Sequence, residues 1–258
     1  MESDKGNLGT TGQKEERIEM AAAALSELRI VLLGWTDSGK TSSGNTILGR
    51  AAFCTEKGTE ESEKREGFVD GRHVTVVDTQ GWKRIASLTF FKKEIVRGVE
   101  LCPPGPHALL LVMRLDKDVE TGSLQELLEL LSMRVWNRTI VLFTHRDAVG
   151  ETTDLERHIQ KKEVYKQLLE KCGNRYHIFD NNEVGRDQVT ELLKKIDEMV
   201  EGNTERFLPS KEIHEVFITL KVRQRKRSKE QPPSSESAGG LAVILAQKLH
   251  KSIKIRQT

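Results

Sequence analysis

At 258 residues the chain has room for one sizeable α/β domain with extensions, or for two small domains. Its 41 Lys and Arg against 39 Asp and Glu leave a formal charge of +2, which excludes a chain-wide electrostatic draw to nucleic acid or to an acidic partner. Three widely spaced cysteines, Cys54, Cys102 and Cys172, form no CxxC pair and suit reduced thiols in a cytosolic protein better than a disulfide framework or a zinc site.

Taken in chain order, residues 1–27 are polar and read as a flexible lead-in, with a short helix expected through EERIEMAAAAL. They hold no apolar signal-peptide core, and Glu2 is incompatible with N-myristoylation. From Leu28 the texture changes. Apolar runs recur as LRIVLL, HVTVV, HALLLVM, TIVLF and YHIF, each too short for a lone helix and each followed by turn residues or a charge. Such runs suit strands buried on both faces of a parallel sheet. Between them lie segments with helical spacing, among them Leu124, Leu127, Leu128 and Leu131, and Val189, Leu192, Leu193 and Ile196. The alternation predicts a doubly wound α/β domain over 28–203, a mostly parallel sheet flanked by helices. Phe53 to Gly71 is rich in charge and is expected to be a long exposed connection. Residues 204–258 form a basic tail, expected to be partly disordered, in which KVRQRKRSK is followed by a Pro/Ser/Gly stretch.

The first apolar run breaks into GWTDSGKT, which satisfies G-x-x-x-x-G-K-[ST] with Gly34, Gly39, Lys40 and Thr41, after a strand and before the helical SSGNTIL. Glycine lets the backbone turn sharply enough to aim successive N–H groups at phosphate oxygens. Gly34, Trp35, Thr36, Asp37, Ser38, Gly39, Lys40, Thr41 and Ser42 are therefore the candidate phosphate-binding residues. Lys40 supplies a point charge toward the β and γ phosphates, and the Thr41 hydroxyl takes a position on Mg²⁺. The run HVTVV ends in DTQG, which puts Asp78 at the carboxyl edge of the sheet, within water-mediated reach of Mg²⁺, and offers the Gly81 N–H to a γ-phosphate. The run TIVLF ends in THRD. Asp147 there can accept both guanine donors, N1–H and N2–H₂, a pair that adenine lacks, and a buried carboxylate left unpaired by adenine would discriminate strongly. Asn181 of FDNN can brace the base from a further loop.

Over about 28–203 the chain resembles the AIG1-type G domains, the family of the GTPases of immunity-associated proteins. The resemblance rests on LLGWTDSGKTSSGNTILG, VVDTQGW, PPGPHALLLV, FTHRD and CGNRYHIFDNN. It implies a P-loop G domain that takes GTP or GDP with Mg²⁺, with Asp78 and Gly81 in the second switch and Asp147 with Asn181 on guanine. It also implies that Thr59 of KGTEES is the first-switch threonine, joining Thr41 and Asp78 around the metal, and that His145 lies along the base where many GTPases have lysine. Gln80 stands where the family usually has proline. Trp82 occupies the place at which Ras-like proteins carry the glutamine that orients the attacking water, so slow hydrolysis is expected, accelerated by self-association across the nucleotide face. Gln80, one residue before Gly81, is expected to point elsewhere.

Three readings stay open at this point: a slow guanine-nucleotide switch, a non-hydrolysing GTP- or GDP-binding scaffold, and an adenine-nucleotide P-loop enzyme in which THRD is coincidence. No catalytic residue is singled out, and no specific nucleic-acid partner is expected. The tail segments 221–229 and 241–256 combine positive charge with an apolar helical face, so peripheral contact with an intracellular membrane is added to an otherwise cytoplasmic expectation.

Overall fold

A computed structural model describes residues 26–213 apart from 84–87, 119–121, 123–126, 130, 151–153, 183–184, 210 and 212. The helix expected in the lead-in, Leu124 and the basic tail segments lie outside the described residues. Strand β1 (Glu27–Gly34) leads into helix α1 (Lys40–Leu48), followed by β2 (Glu63–Val69), β3 (Arg72–Asp78) and α2 (Leu88–Glu100). Then come β4 (Ala108–Arg114), α3 (Met133–Trp136), β5 (Thr139–Thr144), α4 (Leu155–Lys161), α5 (Glu163–Lys171), β6 (Tyr176–Ile178) and α6 (Asp187–Glu201).

The sheet runs β2-β3-β1-β4-β5-β6, parallel except for β2. Every residue of β1 after Glu27 is buried, as are all of β5, which is why these strands read as unbroken apolar runs. Ile30, Leu32, Leu110 and Leu142 meet α1 through Ile47 and α6 through Leu192 and Ile196 on one face of the sheet. On the other face α2 lies so close to β1 that a Cβ at Gly98 would stand 2.7 Å from Val31 Cγ1, and Phe143 meets Tyr165 of α5 at 4.9 Å between ring centroids. Each such buried side chain contributes about 1.5–3 kcal/mol relative to exposure. Arg72 of β3 closes a two-pronged pair with Asp197 of α6, at 2.8 and 2.7 Å.

One expectation needs correction. Within the stretch from Phe53 to Gly71, residues Glu63–Val69 form an antiparallel edge strand paired with β3 from Glu63↔Asp78 to Val69↔Arg72. Its charged residues suit an edge, where they oppose sheet-to-sheet association. The two-residue loop Asp70-Gly71, with φ of 50° and 77°, turns the chain back, and Asp-Gly between FV and HV is a hairpin signal that charge had masked.

The PPGPHALLLV box lies at the amino end of β4, away from the strand ends that carry GWTDSGKT and THRD. There the Arg29 N–H donates to His107 Nδ1 at 2.9 Å, and burial, helped by Arg29 and Arg138, pushes the imidazole down to about 3. Arg29 Nε donates to the Gly105 carbonyl at 2.7 Å, and Leu208 N donates to Pro106 O at 2.9 Å. Past Asn203 the chain thus stays against this end as far as the buried Leu208. A Cβ at Gly105 would land on the Leu208 carbonyl oxygen. Gly105→Ala is therefore expected to lower stability by about 1–3 kcal/mol and to speed tryptic cleavage near Arg206; unchanged cleavage would show that residues 204–208 are not held this way.

Candidate functional site

The carboxyl ends of the parallel strands share one edge, and β1 has β3 on one side and β4 on the other, the crevice where open α/β sheets bind ligands. At Gly34 (φ 149°) a Cβ would run into the Val112 carbonyl of β4, so β1 can end this close to its neighbour only as glycine. The loop then passes through Asp37 (φ 60°) and Gly39 (φ 89°) into α1. Gly39 caps α1 without a side-chain hydrogen bond, leaving the first helical N–H groups available to an anion.

Lys40 is 5% exposed, and its Nζ donates to the Trp35 carbonyl at 2.9 Å. Burial pulls its pKa down to about 8, against the opposing pull of Asp78 and Asp37. A bound polyphosphate would raise that pKa, so phosphate binding takes up a proton wherever the free lysine is neutral. Affinity should be flat below the free pKa and fall above it, by about fourfold between about pH 7 and 8.5. Equal GDP affinity across that window would contradict the assignment of Lys40 to the phosphates.

Asp78 is buried, and burial raises its pKa while Lys40 and the hydroxyls of Thr41 and Thr59 oppose the rise. Its Oδ2 accepts from Thr41 Oγ1 at 2.7 Å and from Thr59 Oγ1 at 2.8 Å, the two hydroxyls standing 3.2 Å apart. The structure thus brings together all three residues expected around the metal, including Thr59 from a loop with little apolar content. Asn45 of α1 sets where that loop starts: its Oδ1 accepts from Ala52 N and Phe53 N at 2.8 and 2.7 Å, and its Nδ2 donates to Phe53 O at 3.0 Å. Asp78 Oδ1 is buried with no hydrogen-bond partner among the described residues. Among the described residues there is no cluster of three or more His, Cys, Asp or Glu able to hold a metal. One carboxylate with an unused oxygen and two hydroxyls fits Mg²⁺, which keeps waters and takes oxygens from substrate phosphates.

After β3 the chain passes Gln80 and Gly81 and is stitched to the phosphate loop. Trp82 N donates to Gly34 O at 3.0 Å, and Thr36 N donates to Trp82 O at 2.9 Å, forming a parallel bridge between Trp35 and Trp82. A Cβ at Gly81 would sit 2.8 Å from Thr36 Cα, so the approach requires glycine. Trp82 is fully buried, edge-on to Trp35 at 5.2 Å and against Phe91 at 5.0 Å. Gln80, expected to point elsewhere, lines the site cavity, whereas Trp82 does not.

At the base end, Thr144 Oγ1 donates to Ser38 O at 2.7 Å and fastens β5 to the phosphate loop. His145 (φ 58°) follows, its pKa lowered first by burial and then by Arg114. Asp147 is exposed rather than buried, and its Oδ2 accepts from Asn182 Nδ2 at 3.4 Å. Asn181 is engaged with α1: its Nδ2 donates to Ser43 Oγ at 3.3 Å and its Oδ1 accepts from Thr46 Oγ1 at 3.1 Å. Asn182, not Asn181, is the neighbour of Asp147 here.

One cavity of about 570 Å³ joins these parts, lined by Thr36, Asp37, Gly39 to Ser42 and Thr59 at the phosphate end, with Gly81, and by His145, Asp147 and Asn181 at the other. Gly34, Ser38 and Asp78 are buried outside that lining, and the half-buried Trp35 is not part of it. Arg114 was not legible as a site residue in the sequence. It lines the cavity from the end of β4, donates through Nη1 to Asp37 O at 3.2 Å, and grips Asp116 through Nε and Nη2 at 2.8 and 2.6 Å. Its only sequence signal is a lone arginine closing an apolar strand.

Comparison with known proteins agrees with this geometry. The model of the AIG1 family matches residues 28–229. The human protein named GTPase IMAP family member 8 is 34% identical over 192 residues, 69% of this chain but only 28% of that protein's length. The Arabidopsis thaliana immune-associated nucleotide-binding protein 9 is 31% identical over 232 residues, 84% of this chain and 68% of its own. Among solved structures, Arabidopsis thaliana Toc33 in complex with GDP and Mg²⁺ superposes with a TM-score of 0.57 at 15% identity, covering 76% of this chain and 95% of that one. Aquifex aeolicus Era superposes with a TM-score of 0.52 at 13% identity, over 67% and 56%. These structures share the G-domain fold, and the family match over most of its length shows that the chain belongs to the AIG1 family.

Proposed function

We propose that the chain binds GTP and GDP with Mg²⁺ and hydrolyses GTP slowly, acting as a nucleotide-dependent switch that self-associates across its nucleotide face. The observation that carries this reading is the single cavity with Thr41 and Thr59 on Asp78 at one end and Asp147 at the other. The phosphates would lie over the α1 N-terminus with Lys40 leaving the Trp35 carbonyl for them. The guanine donors N1–H and N2–H₂ would meet the Asp147 carboxylate, with His145 beside the ring. Bound Mg²⁺ would neutralise charge on the β and γ phosphates. Thr59 would exchange its hydrogen bond to Asp78 for contacts around the γ-phosphate and lose them after GTP is converted to GDP and phosphate. The names of the relatives, a GTPase and an immune-associated nucleotide-binding protein, and the GDP·Mg²⁺ complex of Toc33 support the same ligand.

Slow turnover follows from Trp82, which gives its side chain to the core and offers nothing to an attacking water. Gln80 is the residue of that segment on the cavity wall, so Gln80→Ala is expected to slow hydrolysis about tenfold while leaving GDP affinity within about twofold; unchanged turnover would remove it from the reaction. Dimerization is described as important for the GTPase activity of the chloroplast translocon components atToc33 and psToc159, which supports testing assembly here. Turnover per molecule should rise with protein concentration and disappear in Lys40→Ala. Binding of GTP with negligible turnover at every concentration would favour the scaffold reading, which the buried Trp82 also suits.

A cytoplasmic site of action, with the basic segments 221–229 and 241–256 touching membrane, belongs to this proposal. Flotation with anionic liposomes should depend on residues 221–258, and equal flotation without them would remove the membrane contact.

A further inference from the structure

A second cavity, of about 690 Å³, adjoins the nucleotide cavity and shares Thr36, Asp37, Lys83 and Arg114 with it. We infer that it binds a small amphipathic anion, a molecule with a flat apolar body and one carboxylate, sulfonate or phosphate group, and that its occupancy weakens nucleotide binding through the shared phosphate loop.

The cavity is of a size that takes small organic ligands. Its apolar wall is the half-buried Trp35, with Trp82 and Met113, both in the core, packed behind it. Trp82 backs Trp35 edge-on, with an interplanar angle of 84°, and holds the Trp35 indole in place to meet a planar ring. Charge on its walls is net positive. Arg114 is neutralised by Asp116, and Asp118 by Lys162 at 2.9 Å. Lys83 and Lys117 are exposed and have no ion pair among the described residues, leaving two free cations against the Asp37 carboxylate. An apolar body on Trp35 with its anion toward Lys83 and Lys117 satisfies both features, whereas a neutral apolar molecule satisfies one.

The coupling has a physical route. Trp35 and Trp82, which line this cavity, are the residues of the backbone bridge that joins the phosphate loop to the segment carrying Gly81. Lys83 and Arg114 face both cavities, so an anion in the second one draws their positive charge away from the phosphates and adds negative charge beside them. The binding claim stands without any nucleotide; the coupling claim rests on the guanine-nucleotide reading above.

The test uses the full chain and the dye 8-anilinonaphthalene-1-sulfonate, an amphipathic anion whose fluorescence is excited through tryptophan. One saturable site is expected, with quenching of tryptophan emission. Charge reversal at the exposed rim, Lys83→Glu with Lys117→Glu, should weaken the dye about tenfold or more, and the uncharged N-phenyl-1-naphthylamine should bind about tenfold more weakly. The melting curve of the double variant controls for folding. Absence of a saturable site, or affinity indifferent to both changes of charge, overturns the binding claim. Saturating dye should weaken GDP binding about threefold or more, and GDP should weaken the dye by the same factor, as reciprocity requires. Complete displacement of the dye by GDP would place it in the nucleotide cavity and overturn the inference. Unchanged GDP affinity overturns the coupling alone, and failure of GDP to bind overturns the nucleotide reading with the coupling while the dye arm is read independently.

Discussion

Lys40→Ala is expected to weaken GTP and GDP binding by about 10²- to 10³-fold, equivalent to about 3–4 kcal/mol, the scale of losing charge-assisted contacts to a phosphate group in a sheltered site. The same substitution should leave the thermal midpoint within a few degrees. Lys40 is buried with the Trp35 carbonyl as its only hydrogen-bond acceptor among the described residues, and burial opposes its charge. Removing it relieves a desolvated cation, although Asp78 loses the cation that opposes the rise in its own pKa. Little net stability should change while affinity collapses. Calorimetric titration of GDP beside a melting curve separates the two effects. A large loss of stability with affinity intact would make Lys40 a structural residue.

Asp147→Asn is expected to exchange guanine for xanthine. An asparagine can accept from N1–H but presents NH₂ where guanine presents its own N2–H₂, so GTP affinity should fall about 10²- to 10³-fold. Xanthosine triphosphate, with a carbonyl at that position, should bind the variant better than GTP does. Asp147 is exposed in this structure, so its discrimination depends on the base covering the carboxylate as it docks. The expected penalty is therefore smaller than a permanently buried carboxylate would impose. A variant that keeps its preference for GTP would show that THRD does not read the base.

What the sequence made legible was whatever depends on local pattern. Buried strands such as β5 read as apolar runs because both faces are covered, and α6 read as a helix because Val189, Leu192, Leu193 and Ile196 share a face. The phosphate loop was legible for the same reason, since its glycines answer backbone requirements that no other residue meets, as Gly34 against Val112 illustrates. Strand β2 was hidden by the charge of EKREGFV, although the Asp70-Gly71 turn that pairs it with β3 is a local signal. Features set by long-range contacts were harder to read. Arg114 became a site residue only through its approach to Asp37, 77 positions away in the chain. The burial of Trp82 against Phe91 and the placement of Gln80 on the cavity wall follow from the one-residue offset between the Leu32↔Asp78 and Trp35↔Trp82 pairings, which no local pattern encodes.

The central claim is that one cavity binds a guanine nucleotide, and equilibrium titration of the full chain with GDP and with ADP in the presence of Mg²⁺ tests it most directly. The account predicts one GDP per chain, ADP weaker by about 10²-fold or more, and loss of the GDP signal in Lys40→Ala. Equal affinity for the two nucleotides, or no binding of GDP, would contradict it.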